Sequence, residues 1–152
     1  MPKTYTIPPK PKDDNGHLEL LARIIFIIGF RHSIVEARWP HIKKAFHDFD
    51  IKWVQHATTE KLVKAEGMIR NRPKIQRIID NANECANIIS EFGGMAQWVA
   101  EVAARHHTDP MNHPSLEEEC QRRFIGIGKT TKVWVAYVFH EGKEKQEIRE
   151  YE

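Results

Sequence analysis

Residues 124–131 read Phe-Ile-Gly-Ile-Gly-Lys-Thr-Thr, and this stretch is the most informative part of the sequence. Two glycines alternate with apolar residues just before an apolar segment that has helical spacing. Because glycine lacks a Cβ, the backbone can approach a phosphate closely, and the first turn of the next helix offers N–H groups at its positive end. The stretch therefore predicts a turn between two helices that binds phosphate through Gly126 and Gly128. The side-chain donors that follow are Lys129, Thr130 and Thr131.

The sequence Gly-Lys-Thr also ends the phosphate loop of nucleotide hydrolases, but the spacing excludes that class here. Such a loop needs a glycine five residues before Gly128, where this chain has Arg123, and it needs a buried strand before the loop. A tight turn between two helices, with no ligand, remains an alternative for this stretch taken alone.

A second helix boundary of similar character lies at residues 58–75. A short helix over 58–65 is followed by a turn over 66–72, and Pro73 opens a long helix, as proline does in a first helical turn. Residues 70–77 and 122–132 are both basic and contain no acid, on a chain whose formal net charge is only +2. This pattern indicates a local phosphate-binding surface. The residues predicted to bind DNA at this boundary are Gly67, Arg70, Arg72 and Lys74.

Apolar residues follow helical spacing along most of the chain, which predicts an all-α fold. The helix that starts at Pro73 ends at the glycines 93 and 94, and we expect it to be the central core helix. Its apolar stripe comprises Ile75, Ile78, Ile79, Ala82, Ala86 and Ile89. Other helices are predicted over 18–30, 33–49 with a break near Pro40, 50–56, 95–105 and 116–123, the last with a capping box from Ser115 to Glu118. No run of alternating β-branched residues predicts a sheet.

Length and composition favour one helical domain in a reducing compartment. A chain of 152 residues can bury one substantial core. We predict a flexible arm over 1–16, the helical domain over 17–142 and a C-terminal tail over 143–152. Cys85 and Cys120 have no CxxC spacing, Cys85 fits the core, and no apolar run reaches the ~18 residues that cross a bilayer. We therefore expect a cytoplasmic monomer with no membrane contact, associated with the nucleoid if the source is prokaryotic.

Three histidines lie in residues 106–114, a segment whose composition predicts a loop. Their spacing matches no zinc-binding pattern and no cysteine is near them. We predict no metal site and no cofactor.

These motifs resemble those of the DNA-3-methyladenine glycosylase I family, within the helix-hairpin-helix DNA glycosylases. The similarity covers roughly residues 17–139. It is carried by Gly29, residues 45–50, Thr59-Glu60, the string Gly-Met-Ile-Arg-Asn-Arg-Pro-Lys-Ile at 67–75, Asn81-Ala82 and residues 124–131. The resemblance implies a compact all-α domain with two helix-hairpin-helix-like elements that bind double-stranded DNA. It also implies that an alkylated purine is flipped out of the duplex and released by hydrolysis.

The resemblance further implies a pocket with aromatic walls for a flat cationic base and an acid that stabilises the sugar cation. The candidate walls are Phe30, His32, Trp39 and Trp53. The family's pocket glutamate aligns with Ile24, its tryptophan aligns with His32, and the segments that carry its zinc ligands have no counterpart. Glu36, two helical turns beyond Gly29, is the candidate replacement acid, and Glu19 is the second choice.

Two function classes remain open at this point. The first is an N-glycosylase without lyase activity, because the lyase lysine of the wider superfamily aligns with Thr130. The second is a non-catalytic helix-hairpin-helix module that only holds DNA, which the isoleucine at the acid position favours.

Overall fold

Eight α-helices make up most of the chain that the computed structural model describes, namely residues 2–6, 9–142 and 147–151. This architecture confirms the prediction of an all-α fold. The helices are α1 (Asp14–Ile27), α2 (His32–Ala45), α3 (Ile51–Gln55), α4 (Thr59–Leu62), α5 (Arg72–Phe92), α6 (Met95–Thr108), α7 (Leu116–Arg123) and α8 (Thr131–His140).

Helix α5 is the central element, as its stripe predicted. It begins where the Asn71 side chain accepts a hydrogen bond from the Lys74 amide at 3.1 Å, and it ends at Gly93, whose φ of +88° suits glycine. Ile75, Ile78, Ile79 and Ala82 are buried, whereas Ile89 is only partly buried and Ile88 is fully buried. Both positions are isoleucine, so helical periodicity alone could not decide which of them faces the core.

Two aromatic clusters fill the core. Trp98, Phe124 and Phe139 meet edge to face, with ring centroids 5.8 to 6.4 Å apart, and they join α6 and α8 to the segment between α7 and α8. Phe49 stacks between Trp39 and Phe46, with centroid distances of 5.5 and 5.0 Å. Such ring contacts add attraction beyond the area they bury.

Side-chain caps mark the starts of α1 and α7, and the cap of α7 confirms the prediction for Ser115. Asp13 Oδ1 accepts a hydrogen bond from the Gly16 amide at 2.7 Å, and Ser115 Oγ accepts one from the Glu118 amide at 3.2 Å. The buried cysteines also agree with the sequence analysis, because burial raises the pKa of the Cys85 thiol and leaves it a poor nucleophile.

Three local predictions are wrong, the first being the helix over 18–30, since α1 spans Asp14–Ile27 and the chain turns at Gly29. Helix α2 continues through Pro40, although proline cannot donate to the Glu36 carbonyl, because Trp39 and Ile42 anchor the helix in the core on both sides of it. Helix α6 runs to Thr108, so His106 and His107 are helical rather than part of a loop. The His106 ring lies 2.8 Å from the His113 carbonyl oxygen, which holds the following turn against the helix end.

A 3-10 turn at His47–Phe49 connects α2 to α3, and its backbone is unusual. His47, Asp48 and Phe49 all have positive φ, at 52°, 56° and 57°. Phe49, the last residue of the run, lies in the core.

The strands β1 (Pro2–Thr6) and β2 (Glu147–Tyr151) pair antiparallel, with Pro2 opposite Tyr151 and Thr6 opposite Glu147. The sequence did not predict this ribbon, because its two strands are short and lie at opposite ends of the chain. They fall in the segments that were predicted as an arm and a tail.

Candidate functional site

The turn between α7 and α8, residues 124–130, has the geometry that its glycines predicted. Gly126 has a φ of +87°, which favours glycine. A Cβ built on Gly128 would meet no heavy atom within 4 Å, so the space beside it is open to a ligand. Helix α8 starts at this point with no acid in its first turn and no capping side chain on Thr130. Lys129 and Thr130 are exposed, and Thr131 is partly exposed.

Two side chains from α5 and α7 hold this turn in place. Asn81 on α5 is fully buried; its Nδ2 donates to the Ile125 carbonyl at 3.0 Å, and its Oδ1 accepts from the Ile125 amide at 2.8 Å. Arg123, the last residue of α7, donates to Glu84 at 2.7 Å and to Glu91 at 3.0 Å, both on α5. The approach to the glycines is therefore fixed by α5.

The turn between α4 and α5, residues 63–71, is the second basic element. Gly67 has a φ of +75° and packs on His41, where a Cβ would come within 2.5 Å of the His41 Cβ. Arg70 is exposed, and Arg72 forms an ion pair with Glu60. A groove of 620 Å³ opens here, and the residues that line it are Val63, Lys64, Arg70, Asn71, Arg72 and Pro73.

Lys74 was predicted to bind DNA with these residues, but its ammonium points into the protein. The Nζ atom donates to the Phe26 carbonyl at 3.1 Å and to the Ile28 carbonyl, both at the end of α1, and the residue is buried. Burial lowers the pKa of Lys74, and the nearby Arg77 lowers it further. The sequence shows only that Lys74 belongs to a basic segment. The structure shows that its side chain points inward, to the carbonyl groups at the end of α1.

Arg77 lies beside the second turn. It is exposed on α5, and its Cδ lies 3.0 Å from the position that a Cβ of Gly126 would take. The first turn leads into the start of α5 and the second contacts α5 through Asn81 and Arg77, so both turns lie next to this helix.

Charged residues surround Trp39 where α1 and α2 meet, and we call Glu19, Arg23, Glu36 and Lys43 the corner cluster. Trp39 Nε1 donates to Glu19 Oε2 at 3.0 Å, and the Arg23 guanidinium lies 5.5 Å from the Trp39 ring centroid. Arg23 Nε donates to Glu36 Oε1 at 2.8 Å. Lys43 Nζ lies 3.3 Å from Glu19 Oε1. The predicted acid Glu36 is therefore engaged by Arg23, with 40% of its side chain exposed.

The four predicted aromatic walls occupy three different environments. His32 and Trp39 are both near the corner cluster, and His32 Nε2 lies 3.7 Å from Glu36 Oε1. Phe30 lies in the turn after α1, is 39% exposed, and sits 5.8 Å from Lys74 Nζ. Trp53 stacks on His47 at a centroid distance of 3.7 Å. Trp39 is buried, so Phe30 is the most accessible ring of the set.

Ile24, at the position of the family's pocket glutamate, is fully buried and contributes no acid. Among residues 9–142, whose side chains are described, no group of three or more His, Cys, Asp or Glu side chains is arranged to hold a metal. No helix in the described part of the chain is long and apolar enough to cross a membrane.

Sequence reasoning missed Arg23 and the anchoring role of Asn81. Arg23 had a signal, because it is a charge within an apolar helix, one turn after Glu19. Asn81 also had one, since a polar residue beside a buried stripe needs a hydrogen-bonding partner. Neither signal identifies that partner.

The structure is thus that of an all-α protein in which two glycine turns lie next to the central helix α5. More particularly, the chain belongs to the methyladenine glycosylase family, whose family model matches residues 6–123. Its function is therefore that of a DNA glycosylase in base-excision repair, and DNA is its substrate. The matched region ends one residue before the second glycine turn. The family match therefore does not cover that turn, and any role for it is argued from its geometry alone.

Solved structures of 3-methyladenine DNA glycosylase I share the fold. One has a TM-score of 0.69 at 21% identity over 90% of this chain and 84% of its own. The enzyme from Staphylococcus aureus, studied for recognition of 3-methyladenine, has a TM-score of 0.70 at 16% identity, covering 89% of this chain and 82% of its own. A variant in complex with 3-methyladenine has a TM-score of 0.69 at 16% identity, over 90% and 82% of the two chains. No curated protein sequence matches the chain.

Proposed function

We propose that the protein is a 3-methyladenine-type N-glycosylase that releases cationic alkylated purines from double-stranded DNA and leaves the strand uncut. It acts as a monomer in the cytoplasm. The observation that supports this most directly is the corner cluster, in which Glu19 accepts a hydrogen bond from Trp39 and Arg23 links the Trp39 ring to Glu36. Both acids lie on the first two helices of a glycosylase fold, although neither stands at the family's usual position.

The corner cluster offers a cationic base two carboxylates, whose charge Arg23 and Lys43 balance in the free protein. Two carboxylates face two basic side chains there, so a positively charged ring that enters can compete with Arg23 for Glu36. Aromatic rings attract a flat cation through their negative faces, and Phe30 offers an exposed face. A neutral lesion lacks this attraction, so we expect 8-oxoguanine and uracil to be poor substrates.

In the proposed reaction, a water oxygen bonds to C1′ of the flipped nucleotide while the bond from C1′ to the purine nitrogen breaks. The electron pair of that bond neutralises the charge of the methylated ring, which leaves as the neutral base. The water proton passes to a carboxylate or to solvent. Glu36 stabilises the positive charge that develops on the sugar. The product is an abasic site, and with Thr130 at the lyase position no Schiff base cuts the strand.

The two turns along α5 supply the DNA contacts in this proposal. Gly126 and Gly128 let a phosphate approach the start of α8, where Lys129, Thr130 and Thr131 add donors. Arg70 and Arg72 line the groove at the other turn. Such contacts hold the duplex without reading its sequence.

Replacement of the candidate acid tests the proposal. We expect Glu36→Gln to lower the rate of 3-methyladenine release from alkylated duplex about 100-fold, because an amide cannot stabilise the sugar cation as a carboxylate does. Free base is measured by chromatography under single-turnover conditions. Glu101→Gln is the matched control, because Glu101 is also an arginine-paired helix residue with 43% of its side chain exposed; it should retain the parent rate.

An unchanged rate in Glu36→Gln would remove Glu36 from the mechanism, and Glu19→Gln would then be the next variant. The second candidate function is a non-catalytic DNA-binding module, which the burial of Ile24 and the pairing of Glu36 with Arg23 favour. DNA binding by the parent with no release of 3-methyladenine would select that module.

A further inference from the structure

Polar side chains are rarely buried in the described part of this chain, and two of them lie on the same face of α5. The buried polar residues of the core are His17, His32, Lys74 and Asn81. Lys74 and Asn81 are about two helical turns apart, which places them on one side of the helix with a separation of ~10 Å along its axis. Both donate to backbone carbonyls of a neighbouring segment, and neither is exposed enough to contact DNA.

Lys74 holds the end of α1. Its Nζ donates to two carbonyls at the end of the helix, those of Phe26 and Ile28, where the helix leaves acceptors unsatisfied. The turn that follows contains Gly29, whose φ is +68°, and Phe30, whose amide donates to the Ile27 carbonyl at 3.0 Å. The ammonium also lies 5.8 Å from the Phe30 ring centroid. The position of the exposed ring is thereby tied to α5.

Asn81 holds the other turn. Its amide group bonds both the N–H and the C=O of Ile125, the residue immediately before Gly126. Two hydrogen bonds to one peptide segment fix its direction as well as its distance, which apolar packing alone does not do. The glycines that approach phosphate are thereby tied to the same helix.

We infer that Lys74 and Asn81 are positioning residues, which set the spacing between the turn that carries Phe30 and the turn that grips phosphate through Gly126 and Gly128. This inference rests on the proposed function, because it assigns DNA binding to one turn and base recognition to the other. The length of helix α5 between Lys74 and Asn81 fixes the distance between the two turns. Loss of either side chain displaces one turn relative to the other and leaves the remaining core in place.

The two residues should give different kinetic signatures on alkylated duplex. Asn81→Leu removes both bonds to Ile125, so we expect DNA affinity to fall about tenfold. Log affinity falls with log salt concentration, and this slope should become less steep by about 0.9 if one phosphate contact is lost. Lys74→Met keeps the chain length and removes the ammonium, so we expect the single-turnover release rate at saturating protein to fall about tenfold, with a smaller loss of affinity.

Controls separate positioning from simple loss of stability. Ile88→Ala opens a core cavity on the same helix and should lower Tm without changing the salt slope or the release rate at temperatures where it is folded. Lys74→Arg retains a cation and should recover most of the rate lost in Lys74→Met. If Asn81→Leu does not fold, Asn81→Ala serves in its place, because it removes the amide group without adding bulk or charge to the buried site.

The inference is overturned if the Asn81 and Lys74 variants lower Tm as Ile88→Ala does and keep the parent's affinity, salt slope and rate. Failure of the proposed function gives a different pattern, in which the parent binds duplex DNA and releases no base. In that case no release rate can be measured, and the inference is tested only by the DNA affinity and the salt slope of Asn81→Leu. A parent that does not bind DNA overturns both.

Discussion

His17 shows how one buried residue couples stability to pH. The residue is buried at the start of α1, where its Nδ1 lies 2.6 Å from the Asp13 carbonyl oxygen and its ring meets Phe139 edge to face at 4.9 Å. Burial lowers its pKa below the usual 6.5, and this effect outweighs the opposite effects of Asp13 and Asp14. The folded protein therefore binds this proton less readily than the unfolded chain does.

We expect acid to destabilise the protein through His17. Well above pH 6.5 the ring is neutral in both states and contributes no pH dependence. As the pH falls below that value the unfolded chain takes up the proton first, so the free energy of unfolding decreases by at most about 1.4 kcal/mol per pH unit until the lowered folded pKa is reached. His17→Phe should show a smaller loss of Tm between pH 7.5 and 5.5 than the parent.

The exposed His107 provides the control for this measurement, and His107→Gln should retain the parent's loss of Tm. An equal loss of Tm in His17→Phe and the parent would contradict the assignment.

For single residues, the sequence indicated the chemical character of each region correctly but not the direction in which each side chain points. Lys74 belongs to a basic segment in the sequence, yet its ammonium bonds to carbonyls at the end of another helix.

The apolar stripe of helix α5 packs in the core. Ile79 is buried on its stripe, so Ile79→Ala should lower the free energy of unfolding by about 2 to 5 kcal/mol, through lost burial and the cavity that remains. Urea denaturation followed by circular dichroism measures the change. Ser90→Ala, at an exposed position of the same helix, should stay within about 0.5 kcal/mol of the parent. A parent-like midpoint for Ile79→Ala would mean that the stripe does not face the core.

Helix boundaries were predictable where a local signal defines them. Helix α7 begins at the Ser115 cap and ends at Arg123 as predicted, and Pro73 correctly marked the first turn of α5. The predictions failed where distant contacts decide the outcome. Helix α2 passes through Pro40 because core residues hold it on both sides, and β1 finds its partner at the opposite end of the chain.

The charge distribution of the whole molecule governs its DNA binding. The formal net charge is only +2, so we expect the attraction to DNA to come from the basic residues at the two turns rather than from the protein's overall field. We expect affinity for duplex DNA to fall steeply with salt and to be nearly independent of sequence. Lys129→Ala should weaken binding by about 1 to 3 kcal/mol, because a charge-assisted contact at the start of α8 is lost.

Fluorescence anisotropy at several salt concentrations measures this effect. Arg105→Ala, in the last turn of α6 and paired with Glu101, is the comparison variant and should bind as the parent does. Equal losses in the two variants would indicate a diffuse charge effect rather than a phosphate site.

The sequence predicted both basic turns, but only the fold shows that Asn81 and Arg77 connect the second turn to the helix that begins at the first.

The left-handed run at His47–Phe49 also has a consequence for the handedness of the amino acids that can occupy it. Each L-residue in this conformation costs about 1 to 2 kcal/mol, because its Cβ crowds the following carbonyl oxygen. A D-amino acid has the opposite preference and adopts this backbone without that penalty. Asp48 is exposed, so its side chain does not have to fit the core. In a chemically synthesised chain, a D-residue at position 48 would make the short connection after α2 a stabilising element.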